Sequence, residues 1–234
     1  MKALIKTLLT LCIFVFTAST LNAQKNTSIL GAFVSMPIGD FGSTDLANGS
    51  YAQTGWGIAF DSRFLIKTWP ENFYLLFHSS YQWNNVDNAA IAQDYTEILG
   101  NKTTVSESRY SPIITSIGPK YDIPLTNKLA LGLHAGAGIM FTNTKSMTIK
   151  VYDINDALLL SENINFDNDP AFTYRFAVDL TLQLVPDILD LSLFADYTGA
   201  QQNAELSSKN LDPISSSHNL QYLNTGLLLV LKAK

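Results

Sequence analysis

Between its turn-like stretches this chain falls into eight segments that read as strands, and the links between them run long, short, long, short, long, short, long. Alternation of apolar and polar residues with period two marks a strand with two unlike faces, because successive side chains point to opposite sides. The rhythm of the links adds topology: antiparallel neighbours, with tight turns gathered at one end and long loops at the other. An open meander of that kind would leave two bare edges unless it closed on itself. The pattern therefore predicts an all-β chain, an eight-stranded antiparallel up-and-down transmembrane β-barrel.

The segments run from about Ser28 to Met36, Gln53 to Ile66, Phe73 to Trp83, Tyr110 to Asp122, Lys128 to Thr142, Ala171 to Val185, Asp190 to Thr198 and Asn219 to Leu231. The sixth alternates over its whole length: Phe172, Tyr174, Phe176, Val178, Leu180, Leu182 and Leu184 oppose Thr173, Arg175, Ala177, Asp179, Thr181 and Gln183. The second, third and fifth behave alike, whereas the first and last have no clear facing. The short links are Lys67 to Asn72, Pro124 to Asn127 and Pro186 to Leu189. The long ones, about Ile38 to Ala52, Asn84 to Arg109, Asn143 to Pro170 and Gly199 to Ser217, are rich in Asn, Ser, Asp and Thr. Met147 to Val151 is expected to extend the fifth strand as a hairpin, and Ala157-Leu158-Leu159-Leu160 is the one helix-like patch after the N-terminal segment.

The face opposite the apolar one separates a membrane barrel from a soluble lipid-carrier barrel, whose apolar core lies inside. A soluble barrel would fill its outer face with Lys, Glu and Thr. Here the second face carries Gly57, Ala59, Ala130, Gly132, Gly136, Gly138 and Ala177, with isolated charges. Small residues and a few opposite charges suit a narrow interior, so the apolar face looks at lipid. The aromatic residues Trp56, Trp69, Phe73, Tyr81, Trp83, Tyr121, Phe141, Phe172, Tyr174 and Tyr197 fall near strand ends, where girdles at the two water boundaries are expected. Only 15% of residues are charged and 47% are apolar, and no stretch after Leu21 is long enough for a membrane helix.

The first residues, MKALIKTLLTLCIFVFTASTLNAQ, have a basic start at Lys2 and Lys6, an apolar middle from Leu8 to Phe16, and a cleavage site between Ala23 and Gln24. Residues 1–23 are thus read as a signal peptide and 24–234 as one barrel domain. Leu9-Thr10-Leu11 before Cys12 lacks the small residues of a lipobox, so Cys12 leaves with the signal and the mature chain has no thiol. Cleavage leaves 13 basic against 20 acidic residues, with no basic run, which argues against nucleic acid as a partner.

On the inward faces fall Asp61, Arg63, His78, Lys120, Asp122, His134, Arg175, Asp179 and Asp196. An eight-stranded barrel is just wide enough for side chains to fill. These residues are read as a paired, structural filling, or else as a narrow path for ions or small solutes. The three histidines, His78, His134 and His218, suggest neither a triad nor a metal set, because nothing in their spacing brings them to one rim. No catalytic residue and no cofactor is expected.

The chain resembles the outer-membrane protein beta-barrel domain family, the small porin-like, OmpA- or OmpX-like eight-stranded barrels of Gram-negative bacteria. The likeness rests on Asn22-Ala23-Gln24, which resembles a Bacteroidota export signal, on the strand exit Pro37-Ile38-Gly39-Asp40-Phe41, on Gly55-Trp56-Gly57, and on Gly132 to Gly138. It implies a barrel with no shared activity, placed in the outer membrane with both termini periplasmic. The implied partners are outer-membrane lipid, the barrel insertion machinery and a surface ligand reached through the long loops, with the barrel itself a monomer. Such barrels often end on an aromatic residue, whereas this sequence ends Leu231-Lys232-Ala233-Lys234; either assembly departs from the usual pattern or an internal residue such as Tyr222 serves. The expected function is a structural or surface-binding barrel; a narrow channel and a lipid-modifying enzyme are the alternatives.

Overall fold

The computed structural model describes residues 27–45, 49–66, 68–209 and 212–232; the signal segment, Lys67 and Lys234 lie outside the described residues. Its strands are β1 (Thr27–Pro37), β2 (Gly55–Leu65), β3 (Phe73–Asn85), β4 (Lys102–Val105), β5 (Arg109–Pro124), β6 (Leu129–Thr144), β7 (Met147–Tyr152), β8 (Leu158–Asn168), β9 (Ala171–Val185), β10 (Leu189–Ser207) and β11 (Ile214–Lys232). A 3-10 turn spans Gly39–Phe41 and an α-helix, α1, spans Asn88–Leu99. Eight strands form the ring in the order β1-β2-β3-β5-β6-β9-β10-β11. The ring shuts where β11 pairs with β1, from Thr27 opposite Lys232 to Pro37 opposite Tyr222. Every pairing is antiparallel.

Alternation places the faces. Along β9 the residues from Phe172 to Leu184 that share its parity are exposed, and Thr173, Arg175, Asp179 and Thr181 are buried. The faces of β1 and β11 are now defined: Ile29, Phe33 and Ser35 point inward with Leu220, Tyr222, Asn224, Leu228 and Val230. Their inward residues are largely apolar, so both faces look alike in sequence and alternation gives no signal. No helix among the described residues is long and apolar enough to cross a membrane.

Two prolines interrupt the ladder in a regular way. On β5, pairing to β3 stops between Ile113 and Tyr110, at Pro112, while pairing to β6 continues there. At Pro119 the gap lies instead on the β6 side, between Ile117 and Lys120. Proline has no N–H to donate, and residues of opposite parity address opposite neighbours, so each proline removes a bond on one side only.

The long links hold structure that the sequence reading missed. Asn88–Leu99 is helical: the Ala90 N–H donates to the Asp87 side chain at 3.0 Å at its start, and left-handed Gly100 closes its end. Of the patch Ala157 to Leu160, read as helix-like, Leu158 to Leu160 instead begin β8, held by pairing to β7. β4, β7 and β8 make a small sheet that joins the loop end of β10 through β8. The fourth long link shrinks because β10 and β11 pair on to Leu206 opposite Ile214.

Candidate functional site

The ten aromatic residues named from the sequence form two groups on the outside of the barrel. At the loop end Trp56 stacks on Trp83 with centroids 4.1 Å apart, Tyr81 meets Trp83 edge-on at 4.2 Å, and Tyr174 lies 5.9 Å from Tyr197. Phe141 and Phe172 face outward in the same belt. At the turn end Trp69 packs on Phe73 and Phe73 on Tyr121. Phe73 and Trp83 are ten residues apart on β3. At ~3.4 Å per residue and ~40° of tilt the belts stand about 26 Å apart, the height of the apolar band of a membrane barrel.

Inside, the nine polar residues named from the sequence come together. Arg63 reaches Asp122 at 3.2 Å and Asp179 at 3.9 Å. Lys120 reaches Asp122 at 3.2 Å and also pairs with Asp179. Thr181 and Ser192 donate to Asp179, at 2.9 and 3.3 Å. Arg175 donates to Asp196 through Nε at 3.1 Å and Nη2 at 2.9 Å, and to Nδ1 of His134 through Nη1 at 3.2 Å. His78 Nδ1 lies 2.5 Å from Asp61. Arg63, Lys120 and Arg175 thus each meet a carboxylate, and Asp61 meets a histidine, which is what makes burial of these polar groups tolerable. The side chains leave between them a cavity of about 10 Å³, lined in part by Asp61, Arg63, Lys120, His134 and Arg175, room for about one water.

Nearer the loop end the filling turns apolar. Phe41, from the 3-10 turn after β1, is fully buried among Ile114, Met140, Ala171, Ala200, Leu220 and Tyr222. Its ring meets those of Tyr110 and Tyr222 edge-on, each at 5.0 Å. This stopper was not foreseen, since Pro37 to Phe41 reads only as a turn; Phe41 following a turn was the available signal. Tyr222 points into this stopper at the loop end.

Above the stopper the links build a crown. Tyr51, Val86 and Ile91 form its small core with Tyr95, Val105 and Tyr110 around them. Tyr51 sits at φ +54° and its hydroxyl donates to Asp94 of α1 at 2.5 Å. Burial, followed by that carboxylate, pushes the Tyr51 hydroxyl above the ordinary tyrosine range. His218 contacts Ser216 through Nε2 at 2.8 Å and Ser50 through Nδ1 at 3.4 Å, and burial lowers its pKa. It lies in the crown, whereas His78 and His134 are in the interior. Among the described residues no group of three or more His, Cys, Asp or Glu is placed to hold a metal ion.

No protein-family model and no curated protein matches the sequence. Solved structures match the fold. OprG from Pseudomonas aeruginosa is 8% identical, with a TM-score of 0.52 over 89% of this chain and 96% of that one. A major outer membrane protein from Thermus thermophilus is 12% identical, with a TM-score of 0.50 over 89% and 99%. At such identities the likeness is one of fold, and that fold is the eight-stranded outer-membrane β-barrel.

Proposed function

We propose that this protein is a non-enzymatic, monomeric barrel of the Gram-negative outer membrane that presents its crown at the cell surface for binding, with both termini in the periplasm. One contrast supports the reading. The interior is filled by ion pairs and stoppered by Phe41 and Tyr222, while the loop end is folded into a helix and a small sheet. Folded loops on a rigid scaffold are where binding surfaces are usually built. The cavity among the polar side chains has the size of about one water, which supports a filled lumen over a solute path.

Two measurements test it together. Ile154→Cys in the crown should react with a membrane-impermeant maleimide on intact cells, and Asp187→Cys in a turn only after permeabilisation. Planar-bilayer recordings of the refolded barrel should show no steady conductance. Reversed labelling would overturn the orientation. A steady conductance would favour the narrow channel.

A further inference from the structure

We infer that the tip of the crown is a docking surface for a cationic amphipathic segment of another protein, with Lys or Arg on one face and aliphatic residues on the other. The inference rests on the surface-binding reading above and names the chemistry of what is bound.

The first observation is an apolar corner where water should be. The turn between β7 and β8 carries Ile154, which is 97% exposed, and β8 opens with Leu158, Leu159 and Leu160, each about half exposed. Ile98 and Leu99, also exposed, end α1. These six residues belong to one corner. Lys102, three residues beyond Leu99, pairs with Tyr152 in the β4–β7 ladder, and Tyr152 pairs in turn with Leu158. The Lys102 ammonium lies 2.7 Å from Asp156, tying the turn to the end of the helix. The lipid-facing belt explains exposed leucines lower on the barrel; it does not cover these. Exposed apolar residues gathered at one end of a folded crown and rimmed by polar ones mark an interaction site.

The second observation is charge. Residues 38–45, 49–54, 86–109, 143–170, 201–209 and 212–218, which make the crown, hold thirteen Asp and Glu against five Lys and Arg, a net of −8. The chain after the signal carries 13 basic against 20 acidic residues, −7, so the rest of it is close to neutral in sum. The net negative charge of the crown that carries the apolar corner selects among occupants. A second copy would bring the same −8 against it. An anionic lipid surface or a polyanion would be repelled likewise. An aliphatic face flanked by Lys or Arg satisfies both halves of the surface, and opposite charge also speeds encounter.

The test uses the full barrel in nanodiscs of zwitterionic lipid, with a fluorescent amphipathic Leu/Lys peptide as probe, read by anisotropy. Matched Leu/Glu and all-Lys peptides serve as comparisons. The Leu/Lys peptide should bind above the empty-nanodisc level, more tightly than either comparison, and more weakly as salt rises. The variant Ile154→Ser/Leu158→Ser/Leu159→Ser should weaken binding about tenfold or more, as loss of an interface hot spot does. A heat-dependent gel shift, expected of a closed barrel, checks that the variant folds; should it be absent, Ile154→Ser alone, at the exposed turn, gives the same comparison. Equal binding by wild type and variant, equal binding of Leu/Glu, or none above empty nanodiscs overturns the proposal. Maleimide labelling at position 154 on intact cells reports separately whether the crown faces outward, so a failure here is distinguishable from a failure of the surface reading.

Discussion

Arg175 of β9 and Asp196 of β10 meet side-on inside the barrel, with Nε and Nη2 of the guanidinium both donating to one carboxylate oxygen, at 3.1 and 2.9 Å. The other oxygen accepts from Thr198 at 3.0 Å and Asn224 at 2.9 Å, so both oxygens are engaged. Arg175→Met would leave a buried carboxylate with no permanent counter-charge beside it. The expected loss is about 3–5 kcal/mol, with the double change Arg175→Met/Asp196→Leu costing far less because both charges go together. Urea unfolding in lipid vesicles, followed by tryptophan emission, measures both; equal losses would show the pair is not energetically a unit.

Two glycines on the inward face of β6 should differ. A methyl on Gly138 would stand 2.6 Å from the Cα of Ser116, on the backbone of β5. A methyl on Gly136 would stand 2.9 Å from the ring of His134, a side-chain contact rather than a backbone one. Gly138→Ala should therefore destabilise the barrel by about 1–3 kcal/mol, as overpacking does, and Gly136→Ala by less. The same urea titration ranks them, and the reverse order would contradict the close approach of β5 and β6.

Tyr222 is fully buried in the stopper, against Phe41. Tyr222→Ala is expected to cost about 3–5 kcal/mol, the usual range for removing a large core aromatic. The polar filling below is untouched, so bilayer conductance should stay absent in the variant even as its unfolding midpoint falls.

The pH response of the crown should come through His218. Burial lowers its folded pKa below the ordinary histidine value, so the unfolded segment binds the proton more readily than the folded one. The stabilisation is complete above the unfolded pKa of ~6.5 and is lost as pH falls from there toward the folded value. Hydrogen exchange around Ser50 and Ser216 should therefore quicken, at matched intrinsic rate, between neutral and mildly acidic pH. His218→Gln should remove that dependence while leaving the barrel's gel mobility unchanged.

How much of this was legible in the sequence follows from which faces differ in polarity. β2, β3, β6 and β9 set small or charged inward residues against large apolar outward ones, and their facing reads directly from the alternation. β1 and β11 place Ile29, Phe33, Leu228 and Val230 inside, so both of their faces are apolar and period two disappears. Helix α1 had visible end signals in Asp87 and Gly100, but its polar middle hid it within a polar link. The leucines of β8 carry no periodicity, and only pairing with β7 makes them a strand. The interior ion pairs were legible as a set because a narrow barrel forces inward charges together. Their partners were not, since these depend on register between strands distant in sequence.

The contact between Phe41 and Tyr222 joins the first segment after β1 to the last strand of the chain, and the Ile38 N–H donates to the Gln221 carbonyl beside it at 3.0 Å. The mouth of the barrel can therefore be corked only once the seam between β1 and β11 has zipped. An unfinished barrel, with its final strand still undocked, lacks one wall of the cork and leaves Phe41 without a seat. The stopper thus acts as a latch that distinguishes the completed ring from its precursors, and resistance to a protease cutting near Phe41 would report the moment of closure.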